Sequence, residues 1–299
     1  MDYKAIIKEV WHKDPSGLIT GLYNVGILGV NSVVRAGRIT DWITKRGLQG
    51  ILESDQSVLR STYTRPVQYS ERAYEATIGN VASLYPELTL HHIEIVDQVM
   101  VVLGMDDSGT CQVTIRGSVT TENFVDDLND DIQWSEKMHS MVHDGYLEIA
   151  RGIALIVTDY TGAMLSRWPD KERLDVQIQG HSMGGGLAVM TGNLLTLEGK
   201  VNVTGICSVA GPKVIQADYG NLPVTHIFHV QDPVPYLPVW TIITPYRHQG
   251  KRLLIQPDGS MALYKDGLST DLYNSIWTLT YPLSVSAHSQ YQKHFKESS

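Results

Sequence analysis

Leu174-Asp175-Val176-Gln177-Ile178-Gln179, Gly180-His181-Ser182-Met183-Gly184 and Gly185-Gly186-Leu187-Ala188-Val189-Met190 follow one another without a break, and their reading decides the fold. The first six residues alternate as a strand does, the last six are helix formers, and the five between are glycine-rich turn formers. The turn fits G-x-S-x-G, the pattern of a nucleophile elbow, in which a serine is held on a sharp strand-to-helix turn. Such a turn needs small neighbours, because its backbone brings the flanking residues close to the strand and the helix. The pentapeptide alone would also describe a glycine-rich helix start. The strand before it and the helix after it favour the catalytic reading.

The rest of the chain supplies the partners such a unit requires. Ile93, Ile95, Val99, Val101 and Leu103 read as strand, Asp106 to Gly109 as a hairpin turn and Gln112 to Ile115 as the returning strand. Further strands are expected at Val201 to Val209 and Val224 to Val230, separated by helical runs such as Tyr146 to Leu155 and Leu187 to Leu195. Strand and helix in alternation imply an α/β fold, a mostly parallel central sheet with helices on both faces. A late hairpin joins Leu253-Leu254-Ile255 to Met261 through Tyr264 by way of Pro257-Asp258-Gly259. Before residue 90 the text reads as helix, opened by Ser70-Glu71-Arg72 and carried by Ala73, Tyr74, Ile78, Val81 and Leu84 to Pro86.

A serine hydroxyl is a weak nucleophile at neutral pH, so it needs a histidine to take its proton and a carboxylate to orient that histidine. In hydrolases built on this elbow the order along the chain is Ser, acid, His, which confines the search to residues after Ser182. His226, His229, His248, His288 and His294 remain as bases. Asp232 stands out as the acid because it directly follows the strand ending at Val230, at the sheet edge where open α/β sheets place their ligands. Asp218 is the competitor.

Six segments, in order, resemble the class 3 lipases, α/β hydrolases typified by the filamentous-fungal triacylglycerol lipases. They are Thr114 to Ser118, Asn123 to Leu128, Val142-His143-Asp144-Gly145-Tyr146, Gly180 to Gly185, Asp232 to Pro238 and His288-Ser289-Gln290-Tyr291. The resemblance runs from about Tyr74 to His288 and implies an α/β-hydrolase fold with Ser182, Asp232 and His288 as a catalytic triad. It implies an oxyanion hole from the backbone N–H of Met183 and from Ser118, and no metal or cofactor. Arg116, His143 and His181 are expected to be structural supports. Residues 1–299 are expected to form one domain, with residues 1–65 a helical and glycine-rich extension packed on it and residues 119–137 a lid.

Within that lid segment Phe124, Val125, Leu128 and Ile132 fall on one helical face, while Glu122, Asp126, Asp127, Asp130 and Asp131 fill much of the rest. Between Ser118 and Glu148 eight acidic residues face one basic residue, Lys137, and this segment carries nearly all of the net charge of −8. The balance disfavours nucleic acid and anionic bilayers and favours neutral esters or glycerides, with a transient lipid-interface contact. The two cysteines, Cys111 and Cys207, lie in apolar runs and are read as buried free thiols. Residues Pro15 to Val34 carry no charge but hold four glycines and two asparagines, too polar for a membrane span, and no clear signal peptide precedes them, so a cytoplasmic location is favoured over a secreted one. The expectation is therefore a lipase-type serine ester hydrolase acting on acylglycerols or other fatty-acyl esters. Its alternatives are a soluble, feruloyl-esterase-like enzyme and an inactive lipid-binding relative.

Overall fold

The computed structural model describes residues 51–117, 132–216, 222–237, 246, 248–265 and 284–295. The described strands are β1 (Ile51–Glu53), β2 (Thr89–Val96), β3 (Val99–Met105), β4 (Thr110–Ile115), β5 (Ile132–Ser135), β6 (Ser140–His143), β7 (Asp175–His181), β8 (Asn202–Val209), β9 (Val224–His229), β10 (Lys251–Ile255) and β11 (Met261–Tyr264). The described α-helices are α1 (Gln56–Arg72), α2 (Val81–Leu84), α3 (Asp144–Met164), α4 (Met183–Glu198) and α5 (Val285–His288). Nine strands form one sheet in the order β1-β11-β10-β9-β8-β7-β4-β3-β2. Its centre, β4-β7-β8-β9-β10, is parallel, and both flanks are antiparallel. The expected mostly parallel α/β-hydrolase sheet is present.

Side-chain alternation along the central strands explains why helices cover both faces. Val176 and Ile178 of β7 and Ile206 of β8 join a core built with Tyr146, Leu147, Ala150 and Ile153 of α3 and Leu187, Met190 and Leu194 of α4. Cys207 and Val209 of β8 point the other way, into a core with Leu59 and Val67 of α1 and with Ile227, Leu253, Ile255, Tyr291 and Phe295. Both cysteines are buried free thiols. α4 is buried on every side from Met183 to Leu195, as its uniformly apolar and small sequence requires.

Three expectations are revised. The helix expected to open at Ser70 instead ends there: α1 starts after Asp55, whose Oδ1 accepts from Ser57 N at 2.8 Å and caps the first turn. Pro66 lies inside this helix, and Ser70 Oγ donates to the Pro66 carbonyl, so a residue that normally breaks helices masked it in the sequence. Ala73, Tyr74 and Ile78 therefore lie in the connection, with Val81 and Leu84 on the separate α2. The stretch from Ile93 to Leu103 is two antiparallel strands, because Asp97 and Gln98 both adopt positive φ and turn the chain back in two residues. Ile132 opens β5, which pairs with β6 in a separate hairpin, so it does not share a helical face with Phe124, Val125 and Leu128. The lid segment accordingly ends as strand and turn beyond residue 131. Phe124, Val125, Leu128, Ser118 and Asp218 lie outside the described residues.

The boundary expected at residue 65 falls inside α1, and β1 pairs with β11 at the sheet edge. Residues 1–50, including Pro15 to Val34, are outside the described residues. Among the described residues no helix is long and apolar enough to cross a membrane.

Candidate active site

Ser182 stands between the end of β7 and the start of α4, with φ 59° and ψ −128°. This is a costly conformation for a residue with a Cβ, and the surroundings enforce it. Ser182 N donates to the Val209 carbonyl at 2.9 Å, and Ser182 O accepts from Gly185 N at 2.8 Å. The flanking glycines are needed for close approach. A Cβ on Gly180 would stand 2.2 Å from the Gly184 carbonyl oxygen and 2.9 Å from that of Ile115, and one on Gly184 would stand 2.2 Å from the Ile115 oxygen. The elbow is thus wedged between β4 and α4. Met183 is the first residue of α4, where backbone N–H groups are not spent on intrahelical bonds.

The imidazole that faces Ser182 comes from far along the sequence. His288 ends α5, and its Nε2 lies 2.8 Å from Ser182 Oγ while its Nδ1 lies 2.9 Å from Asp232 Oδ2. With Asp232 accepting, Nδ1 carries the proton and Nε2 is left to accept from the serine hydroxyl. Asp232 is fully buried. Its Oδ1 accepts from Val234 N at 2.9 Å, and its Oδ2 also accepts from the Tyr291 hydroxyl at 2.7 Å. Tyr291 in turn accepts from His229 N at 2.9 Å, so it ties the end of β9 to the acid. Ser284 N donates to the Gln231 carbonyl at 2.8 Å, clamping the segment that carries His288 to the loop that carries Asp232.

His181, directly before Ser182, holds the backbone of His288. Its Nε2 lies 2.7 Å from the His288 carbonyl oxygen, its Nδ1 lies 3.0 Å from the Tyr74 hydroxyl, and the two imidazole centroids are 4.6 Å apart. Because His181 must donate to a carbonyl, Nε2 carries the proton and Nδ1 accepts from Tyr74. Burial, reinforced by any positive charge on His288, pushes His181 down to about 3, so it stays neutral through the physiological range.

Of the sequence candidates, the structure brings together Ser182, Asp232 and His288 and places Met183 beside them. The other histidines point elsewhere. His226 reaches the Gln249 carbonyl and His248 the Pro235 carbonyl, both buried and held neutral by burial. His294 stacks against His229 at 5.3 Å, and burial lowers it to about 4. Arg116 donates to the Gln98 carbonyl, and His143 packs edge-on against Tyr146. The Tyr74 link to His181 was absent from the sequence reading; no local pattern joins residues 107 apart. Tyr291 was quoted only as the last letter of a motif.

This arrangement, a parallel-centred sheet with a serine on a strained elbow and a His–Asp pair at hydrogen-bonding distance, has the α/β-hydrolase fold. Residues 112–242 match the family model Lipase (class 3), which shows the resemblance that the motifs carry. No curated protein sequence matches the chain. Solved structures do. A triacylglycerol lipase whose catalytic centre is described as a serine protease triad superposes with TM-score 0.64 and 19% identity, over 79% of this chain and 94% of that one. The Rhizomucor miehei lipase in complex with its propeptide gives 0.61 at 19% identity, over 79% and 80%. A lipase from Rhizopus microsporus var. chinensis gives 0.60 at 18%, over 80% and 90%. The partial family match and the fold agree with the motifs.

Proposed function

We propose that the chain is a serine carboxylic-ester hydrolase of lipase type that acts on acylglycerols or other fatty-acyl esters through an acyl-enzyme. The observation that carries this is the continuous relay Ser182 Oγ, His288 Nε2, His288 Nδ1, Asp232 Oδ2, with steps of 2.8 and 2.9 Å, on a backbone strained to hold the serine forward.

As Ser182 Oγ attacks the ester carbonyl carbon, His288 Nε2 takes the hydroxyl proton, and the buried Asp232 carboxylate stabilises the resulting imidazolium. The carbonyl oxygen becomes an oxyanion, for which the Met183 N–H and Ser118 are the proposed donors. Collapse of the tetrahedral species breaks the ester C–O bond. The alcohol departs with the proton from His288, leaving the acyl group on Ser182. Water then attacks the acyl carbon as His288 again takes a proton, and the acid is released with Ser182 restored.

The acidic segment around Phe124, Val125 and Leu128 is assigned to the lid, and a fungal lipase-inhibitor complex described as a model for interfacial activation is among the structural neighbours. A lid with an apolar inner face stays shut in water, since exposing that face costs about 25 cal/mol per Å². At a neutral lipid surface the same side chains gain a partner and the open form is favoured. The test is a series of p-nitrophenyl esters of increasing acyl length, assayed below and above the concentration at which an emulsion forms. Long-chain esters in emulsion are expected to be hydrolysed faster than monomeric short ones. A rate that rises smoothly through the emulsion point, with short chains preferred, makes the enzyme a soluble esterase. No hydrolysis of any ester overturns the assignment.

A further inference from the structure

The loop that carries Asp232 has few backbone donors of its own. Between His229 and Leu237 it holds two prolines, Pro233 and Pro235, which have no N–H to give. Val234 N is spent on Asp232 Oδ1 at 2.9 Å, and the 3₁₀ turn Val234–Tyr236 is closed by Leu237 N, which donates to the Val234 carbonyl at 3.0 Å. The next carbonyl, that of Pro235, is met from outside the loop. His248, 3% exposed, places its Nε2 2.8 Å from that oxygen.

A carbonyl only accepts, so Nε2 carries the proton. Nδ1 is buried with no hydrogen-bond partner among the described residues, so the imidazole makes a single hydrogen bond, the one to Pro235. His248 is itself held firmly. Its ring packs against Phe228 at 4.7 Å and His226 at 4.4 Å, both from β9, the strand that leads into the Asp232 loop. Its carbonyl accepts from the buried Arg252 of β10, and His226 Nε2 secures the following carbonyl, that of Gln249, at 2.9 Å.

The two oxygens of Asp232 are therefore held by separate routes. Oδ2 faces His288 Nδ1 and the Tyr291 hydroxyl, whereas Oδ1 takes the N–H of Val234, the residue directly before the carbonyl that His248 fixes. The Pro235 ring locks one of the torsions between that carbonyl and the Val234 N–H, so the two move together.

We propose that His248 is a positioning residue for the catalytic acid, setting the Oδ1 side of Asp232 through the Pro235 carbonyl. The proposal rests on the reading of Asp232 as that acid. Without the Nε2 donor a buried carbonyl is left unpaired, which is costly, and the turn shifts to relieve it. The Val234 N–H moves with the turn, and the carboxylate rotates away from His288 Nδ1. Because His248 acts through the acid, the defect falls on kcat and leaves KM unchanged.

The test uses the full-length enzyme and two substitutions of similar length, His248→Met, which has no donor, and His248→Gln, whose amide can donate where Nε2 did. Steady-state kinetics on a soluble p-nitrophenyl ester are measured below the unfolding temperature of each variant, alone and combined with Asp232→Asn. His248→Met should lower kcat by about 10- to 100-fold, the scale on which a small misplacement of a catalytic group is felt. His248→Gln should recover most of that loss. In the Asp232→Asn background His248→Met should cost no further kcat, since the charge it positions is already gone. Wild-type kcat in His248→Met overturns the proposal, as does a His248→Gln variant as impaired as His248→Met, or an undiminished loss in the Asp232→Asn background. Should His248→Met fail to fold, His248→Asn takes its place, because its amide stops short of the Pro235 oxygen; failure of both to fold marks a purely structural residue and also overturns the proposal. A wild-type protein that hydrolyses no ester and whose Ser182 is not labelled by a fluorophosphonate refutes the ester-hydrolase assignment instead, a separate result.

Discussion

Ser182 and His288 are held by opposite means. Ser182 is fixed by backbone: a strained φ, two main-chain hydrogen bonds and glycines packed to within a methyl group of β4. His288 ends a helix of four residues and is fixed by side chains from three other places, Asp232, His181 and, through Asp232, Tyr291. One arrangement is local and rigid, the other long-range and built from hydrogen bonds that can be removed one at a time. Damage to the first should therefore be abrupt, and damage to the second should be graded.

The largest effect tests whether the two halves act as one unit. Ser182→Ala and His288→Ala should each lower kcat by on the order of 10⁴-fold or more, because members of a triad are not additive. Asp232→Asn should cost somewhat less, since a wrongly protonated imidazole leaves the oxyanion donors in place. His294→Ala should stay within a few-fold of wild type, as its ring packs on His229 and away from the serine. Steady-state kinetics on one ester settle the order. A loss in His294→Ala that exceeds the loss in His288→Ala would assign the base to the wrong histidine.

The same contrast explains what the sequence could tell. The elbow was legible because every feature that makes it, strand, glycines, serine and helix, lies within about twenty consecutive residues. The central strands were legible because apolar residues recur at alternate positions within short segments, as with Val176 and Ile178 of β7. The choice of His288 over four other histidines needed the family motif, since nothing in its neighbours declares that it meets residues 56 and 106 positions away. α1 was misread for a physical reason: its cap at Asp55 is ordinary helix punctuation, but its interior Pro66 runs against it, and tertiary packing of Leu59 and Val67 outweighs the proline. Ile132 was placed on a helix by spacing alone, whereas pairing of β5 with β6 sets its conformation.

A smaller effect falls on stability and separates the rigid half from the rest. Gly180→Ala places a methyl group 2.2 Å from a main-chain oxygen that belongs to the elbow itself, so no flexible side chain can move aside. Overpacking of a tight core costs about 1–3 kcal/mol and sometimes more, and here it should reach the upper end. Gly162→Ala in α3 is the control, because its Cβ would meet nothing within 4 Å, and helix propensity should make it neutral or mildly stabilising. Urea unfolding of the two variants measures the difference. Equal midpoints would mean that the elbow relaxes freely, and the contrast between backbone-held and side-chain-held halves would fail.

The smallest effects grade the support of the base. Tyr291→Phe removes a hydroxyl that donates to the ionised, fully buried Asp232 and accepts from His229 N, a bond to a charged group worth about 1.5–3 kcal/mol. Tyr74→Phe removes a hydroxyl that donates to His181 Nδ1, where both partners are neutral, so about 0.5–1.5 kcal/mol is at stake. Tyr291→Phe should therefore be the more destabilised of the two and should lose more of kcat, since the acid it releases orients His288 directly. Tyr74→Phe acts one step further back, through His181 and the His288 carbonyl. His181 carries no charge above about pH 4, so the activity lost in Tyr74→Phe should be the same factor at pH 6 and at pH 8. Unfolding midpoints and kcat at these two pH values test both statements. If Tyr74→Phe costs more than Tyr291→Phe, or if its effect changes with pH, the base is held chiefly from the His181 side, and the support runs from the nucleophile's own turn rather than from the acid.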